Sequence, residues 1–262
     1  MSLSTSEKLQ VEIVGHTAKV TIDNPGANTW DTESLPALKE LIQKLNDQRD
    51  VYALVMTGAG EKFFSAGADL NLFAGGDPDN ARQMAEYFGH GFETLADFRG
   101  VTIAAVNGFA MGGGLEVAMA CDIRIAEEQA QMGLPEAKVG LLPCAGGTQR
   151  LTQLVGLGWA KRIILCGERL RADKALEIGL VEEVVPTGTA LERAMELAEQ
   201  VGEQSPISVA ACKRLIHSAT DMTIARGLEA ERVEFVELFS TEDQREGVNA
   251  FLEKRKPVWK NC

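Results

Sequence analysis

Residues 107–121, NGFAMGGGLEVAMAC, limit what this chain can fold into more than any other stretch. The apolar run 101–106 leads in, Gly112, Gly113 and Gly114 follow, and 115–120 reads as a helix. A buried strand must therefore turn into a helix within a few residues. Glycine allows that turn and lets other groups come close to the backbone, because no Cβ intervenes. The first amides of the helix lack internal partners, and the helix dipole makes that end partly positive. Glu116 sits in the first turn beside them. Alone, the stretch supports two readings: a capped helix with a solvated glutamate, or free amides and a carboxylate facing one ligand.

The rest of the chain predicts an α/β layering. Residues 11–14 and 18–22 read as a hairpin around Gly15-His16, closed by Asn24-Pro25-Gly26. Leucines at 35, 38, 41 and 45 give 32–45 a one-sided helical stripe, and 51–57 is an apolar strand of the kind buried on both faces. Phe63-Phe64 runs into a turn at 65–69, 77–80 reads as a polar loop, and 81–98 as a helix. After the central stretch come a short strand at 123–126, helices at 148–155, 159–166 and 172–178, and a last strand at 181–185. From residue 191 the pattern is helical: 191–201, 207–219, 223–239 and 242–254. The expected division is a core over 1–195 and a helical region over 196–262.

Composition narrows the function classes. A net charge of -12 opposes general nucleic-acid binding, which needs basic surface to displace phosphate counterions. No apolar stretch is long enough for a membrane helix, and the first residues lack signal- or transit-peptide order, so a cytoplasmic protein is expected. The five cysteines are widely spaced, with no CxxC, and the three histidines form no ligand pattern. No metal is expected, and the chemistry falls to carboxylates and backbone.

Three stretches could supply it. In Ser65-Ala66-Gly67-Ala68-Asp69 the amide of Ala68 could project free, or the segment is an ordinary turn. The Gly113 amide is a second candidate. Two converging amides would form an oxyanion hole, where one donor is typically worth roughly 2.7–4 kcal/mol of barrier. In Leu134-Pro135-Glu136 the glutamate is either pressed inward, which raises its pKa, or an exposed loop carboxylate.

These segments resemble the crotonase superfamily, the enoyl-CoA hydratase/isomerase family. The matching stretches are FFSAGADL (63–70), AAVNGFAMGGGLEVAMACDIRIA (104–126), MGLPEAKVGLLPCAGGTQRL (132–151) and EKRKPVW (253–259), and the similarity covers nearly the whole chain. The resemblance implies a crotonase-like spiral of ββα units with a C-terminal helical trimerisation region, assembled as a homotrimer or a dimer of trimers. It makes Ala68 and Gly113 the oxyanion-hole amides and Glu116 and Glu136 the catalytic acids. It sets Ala66, Asp69, Leu70, Asn71, Gly112 and Cys144 along the acyl-CoA thioester. Cys144 stands where many hydratases have glycine, and the loop 24–30 looks slightly short. The implied activity is syn addition of water to trans-2-enoyl-CoA, as in β-oxidation of fatty acids, with no cofactor beyond the CoA carried by the substrate.

The implied alternatives are a Δ3,Δ2-enoyl-CoA isomerase using mainly Glu136, a thioester hydrolase, and, more distantly, a non-catalytic or RNA-binding member. A dinucleotide-binding oxidoreductase is disfavoured because Gly112-Gly113-Gly114 lacks the third glycine of GxGxxG, and no GxxxxGK[ST] loop occurs. Lys254, Arg255, Lys256 and Lys260 either solvate the end of the chain or meet the phosphates of CoA.

Overall fold

The computed structural model describes residues 3–262. An antiparallel hairpin, β1 (Leu9–Val14) and β2 (Thr17–Ile22), opens it, followed by helix α1 (Ser34–Asp47). Three turns of a spiral come next. Each lays one strand in a large sheet and a short one in a small sheet, then continues into a helix: β3 (Ala53–Gly58), β4 (Phe63–Ser65) and α2 (Pro78–Ala96); β5 (Val101–Val106), β6 (Phe109–Met111) and α3 (Gly113–Ala120); β7 (Ile123–Glu127), β8 (Gln131–Gly133) and α4 (Gly147–Leu165). Then follow β9 (Leu170–Arg171), α5 (Ala172–Glu177), β10 (Glu183–Val185) and helices α6 (Ala190–Gly202), α7 (Pro206–Ser218), α8 (Ile224–Leu238) and α9 (Glu242–Glu253). The large sheet runs β1-β2-β3-β5-β7-β10, parallel except for the first pair, and the small one β4-β6-β8-β9. This is the spiral of ββα units expected above.

The large sheet is apolar on both faces, as the unbroken runs of β3 and β5 require. Leu54, Met56, Ala104, Val106 and Ala126 point into the main core with Leu38, Leu41 and Phe92. The alternate residues Val55, Ile103, Ala105 and Ile125 form a second cluster under Ala190, Ala194 and Ala198 of α6. Helix α6 thus packs on the sheet and runs through residue 195, where the core was expected to end.

Several local expectations need correction. Residues 77–80 are not a loop: Asp77 caps α2 by accepting from the Asp79 amide, and Pro78 takes the first helical position. The three-residue strands β4, β6 and β8 were missed because three residues show no periodicity. The two helices expected at 148–155 and 159–166 are both present within α4, separated at Gly156, whose φ 75° and ψ 166° are not helical.

The tail is fastened rather than loose. Buried Asp243 accepts from the Lys260 and Asn261 amides, and the Trp259 indole donates to the Glu203 carbonyl. Arg255 pairs with Glu246 and Glu253, Lys260 with Glu242, and Lys256 with Glu203. These cations have internal partners, a use neither sequence reading anticipated. No helix among the described residues is long and apolar enough to cross a membrane.

Candidate active site

The site forms where the ends of two spiral turns touch. Asn107 ties those ends together: its side chain donates to the Gly58 and Gly60 carbonyls and accepts from the Gly58 amide. Trp30 and Ala68 form a parallel bridge in which Trp30 N–H donates to Gly67 O and Asp69 N–H to Trp30 O. Successive amides of an extended chain face opposite sides, so the Ala68 amide points away from Trp30 and has no acceptor among the described residues. The Ala66 amide, in contrast, is used by the Ala27 carbonyl.

Gly112 precedes α3 with φ 54° and ψ −127°, a conformation open to glycine and strained for residues bearing a Cβ. Its carbonyl accepts from the Leu115 and Glu116 amides and its amide donates to the Gly133 carbonyl, which leaves Gly113 N–H as a first-turn donor without a partner among the described residues. The two backbones are in contact: a Cβ on Gly67 would stand 3.0 Å from Gly113 N and 2.6 Å from Met111 O. Phe88 closes the other side, since a Cβ on Gly113 would lie 2.8 Å from its ring. Two unpaired amides from different spiral turns thus lie on abutting segments.

Glu116 is not a solvated cap. It is 3% exposed, and its Oε1 accepts from the Ala145 and Gly147 amides, each at 2.8 Å. Burial holds its pKa above the ordinary carboxylate value, and the two amides offset only part of that rise. Gly147 has to be glycine here: a Cβ would lie 2.6 Å from Pro143 and 2.8 Å from Glu116 Oε1. Sequence reading missed this grip because backbone donors leave no residue signature.

Glu136 follows Pro135 at the start of a short 3-10 turn, Glu136–Val139. Its carboxyl lies against the glycine turn, with Oε1 3.0 Å from where a Cβ on Gly112 would be. Its Oε2 is buried without a hydrogen-bond partner among the described residues. Burial first, and the charge of Glu116 second, push its pKa up to about 7. Of the two sequence readings, the inward-pressed one holds. Exposed Cys144 adjoins both acids; desolvation and then the two carboxylates push its thiol up to about 11.

The remaining candidates lie at the edge. Asp69 accepts from the amide and side chain of Asn71, capping a short 3-10 turn at Leu70–Phe73, and Leu70 is exposed. Two residues that sequence reading left without a role support the site from behind. Buried Asn28 (φ 53°) donates to the Ala59 and Phe63 carbonyls, fixing the loop before Trp30. Asp122, at the far end of α3, accepts from the Thr102 amide and hydroxyl and from Lys213 at 2.7 Å, binding the core to α7. The wide cleft of about 1230 Å³ behind α3 borders that pair and shares only Ala145 and Gly146 with the loop gripping Glu116.

Comparison with known proteins gives a consistent picture. The family model for enoyl-CoA hydratase/isomerase matches residues 12–262. The chain is 40% identical over 247 residues to the short-chain-enoyl-CoA hydratase of Clostridium acetobutylicum, covering 94% of this chain and 95% of that one. It is 36% identical over 259 residues to the carnitinyl-CoA dehydratase of Salmonella typhi, covering 97% and 99%. The solved structure of DspI from Pseudomonas aeruginosa superposes with a TM-score of 0.95 at 62% identity, covering 97% of each chain.

Proposed function

The chain belongs to the enoyl-CoA hydratase/isomerase family, and from that premise we propose that it is an enoyl-CoA hydratase, adding water syn across the double bond of trans-2-enoyl-CoA to give 3-hydroxyacyl-CoA. One observation carries the reading: two carboxyl groups held in different ways come from the glycine turn that carries the unpartnered Gly113 amide and from the segment packed on it. Glu116 is gripped at one oxygen by two amides, and Glu136 is held up to about 7 with a free oxygen.

In this mechanism the Ala68 and Gly113 amides receive the thioester oxygen and stabilise the negative charge it gains as the enolate forms. Glu116, with Oε1 held, orients water and takes its proton through Oε2 as oxygen bonds to Cβ. Glu136 delivers a proton to Cα, collapsing the enolate to the thioester. Nearby carboxylates push their pKa values apart, which gives one base and one acid at neutral pH. The chemistry uses carboxyl groups and amides of the chain, with CoA as part of the substrate. Ala66, Asp69, Leu70, Asn71, Gly112 and Cys144 would line the acyl-CoA path.

The unpartnered Glu136 oxygen also suits a Δ3,Δ2-isomerase that moves one proton with a single acid. The ultraviolet absorbance of the conjugated 2-enoyl thioester separates the two. Wild type is expected to bleach it, and Glu116→Ala to lose hydration while any isomerisation survives. Unchanged absorbance with every 2-enoyl-CoA would remove the hydratase reading.

For assembly we propose a homotrimer or a dimer of trimers built through the helical region, which we start after α6, at the 203–205 turn. Helix α8 has no buried residue yet exposes Ile224, Leu228, Val233, Phe235 and Val236, and α9 exposes Phe251 and Leu252. Apolar patches of that kind mark association surfaces. The acidic charge supports a reading without nucleic acid as partner.

A further inference from the structure

The loop that grips Glu116 also carries a nucleophile. Cys144 is a free, exposed cysteine, and the next residue, Ala145, donates its amide to Glu116 Oε1 at 2.8 Å. The thiol is therefore tied within one residue of a carboxylate. Ala145 and Gly146 border the cleft behind α3, and Cys144 does not. Its thiol instead feels the charges of both Glu116 and Glu136. Three polar groups of the same site lack partners among the described residues: the Gly113 amide, Oε2 of Glu116, whose residue is 3% exposed, and Oε2 of Glu136. Buried polar groups are normally paired, so a set left open in one place calls for a ligand to complete it.

Resting on the acyl-CoA reading above, we propose a second activity for this site: reversible capture of the 2-enoyl thioester by Cys144 as a covalent β-thioether. As the sulfur–Cβ bond forms, the thiol proton passes to Glu116 Oε2. The π electrons move through Cα to the thioester oxygen, held by the Ala68 and Gly113 amides. The enolate then takes a proton from Glu136 at Cα. A thiol has added across the double bond; nothing is oxidised and no group leaves. Return of the Cα proton to Glu136 breaks the sulfur–Cβ bond, and the sulfur recovers its proton from Glu116. The machinery is that of hydration with sulfur in place of water. The thiol, at about 11, gives up its proton more readily than water at about 15.7, and sulfur is the stronger nucleophile. Free enzyme keeps the thiol protonated, so capture needs the thioester in place.

The test incubates the whole protein with trans-2-butenoyl-CoA, quenches in acid, and reads intact mass and peptides while hydration is followed in parallel. The Cys144 peptide should gain the mass of one enoyl-CoA, about tenfold or more ahead of the exposed Cys166, Cys212 and Cys262, because only Cys144 is held beside the bound thioester. The adduct should decay once free thioester is removed, and Cys144→Ser should form none. Glu116→Gln should slow capture about 10²-fold, the low end for a lost general base. Hydration that runs with Cys144 unmodified overturns the proposal. So does equal modification of the exposed cysteines, or capture that quickens in Glu116→Gln, either of which is plain alkylation by an electrophile. Absence of both adduct and hydration with every 2-enoyl-CoA overturns the acyl-CoA reading instead.

Discussion

The loop that holds Glu116 and the turn that carries Glu136 solve opposite problems with similar material. Residues 143–147 wrap two amides around one carboxylate oxygen, and the glycine at 147 has no room for a methyl group. The turn Glu136–Val139 leaves its carboxyl almost unaided and ends at Gly140, whose φ is 76° and whose surroundings are open. Amides donating to a carboxylate stabilise its charged form, whereas burial without donors favours the neutral form. The contrast teaches that two glutamates, both raised by burial, can be held in different ways by backbone alone, one gripped by amides and one left with a free oxygen.

Matched glycine substitutions break that contrast most strongly. Gly147→Ala forces a methyl group into Pro143 and Glu116 Oε1, so the clamp must open. Overpacking of this kind costs about 1–3 kcal/mol of stability, and hydration should fall about 10²-fold, the low end of what a positioned acid–base group contributes. Gly140→Ala meets nothing within 4 Å and suffers only the left-handed backbone, about 1–2 kcal/mol. Its activity should stay within a few-fold of wild type. Thermal melts and hydration rates on the pair check this; equal losses of activity would show that the clamp does not set Glu116.

A smaller effect comes from pH. Hydration needs Glu136 protonated, so its rate should fall as pH rises through about 7, while dehydration of 3-hydroxyacyl-CoA, which needs it ionised, should rise over the same range. Removing the Glu116 charge in Glu116→Gln withdraws one of the two causes that raise Glu136, so the residual limb should move to lower pH. Stability follows the same sign. The folded state holds a proton on Glu136 between its ordinary 4.5 and about 7, so stability declines across that window and levels off above it. Glu136→Gln should therefore gain about 1–3 kcal/mol relative to wild type at pH 8, discounted for partial solvent access. A limb that stays in place in Glu116→Gln would show that burial alone sets Glu136.

How much of this was legible in the sequence follows from how each feature is encoded. Strand 101–106 was readable to the residue because a buried parallel strand is a run of apolar side chains. The glycine turn and the inward Glu136 were readable because glycine and proline impose backbone geometry. The grip on Glu116 was not, because its donors are amides at Ala145 and Gly147, about thirty residues on, and any sequence could supply them. The same holds for Asp122, whose partners Thr102 and Lys213 come together only when α7 docks. Asn28 carried a faint signal, since asparagine tolerates positive φ and follows an Asn-Pro-Gly turn, but its acceptors at Ala59 and Phe63 belong to the next spiral turn. Side-chain patterns thus specify elements, while the chemistry depends on backbone groups brought together by topology.

The mildest probe of the comparison is Cys144, which adjoins both carboxyl groups and reports on each. Its thiol is pushed up to about 11 by desolvation and then by Glu116 and Glu136, so little thiolate exists at neutral pH and alkylation should be slow although the residue is exposed. Each substitution removes a carboxylate that raises the thiol, and Glu136, held up to about 7, is only partly ionised at pH 7.5. Iodoacetamide labelling of Cys144, followed by mass spectrometry of its peptide, should therefore accelerate a few-fold in Glu116→Gln. The gain in Glu136→Gln should be smaller at pH 6.5 and approach the first at pH 8.5, as wild-type Glu136 ionises. Identical labelling rates in all three proteins across that range would place the thiol outside the field of the two acids and undo the asymmetry assigned to them.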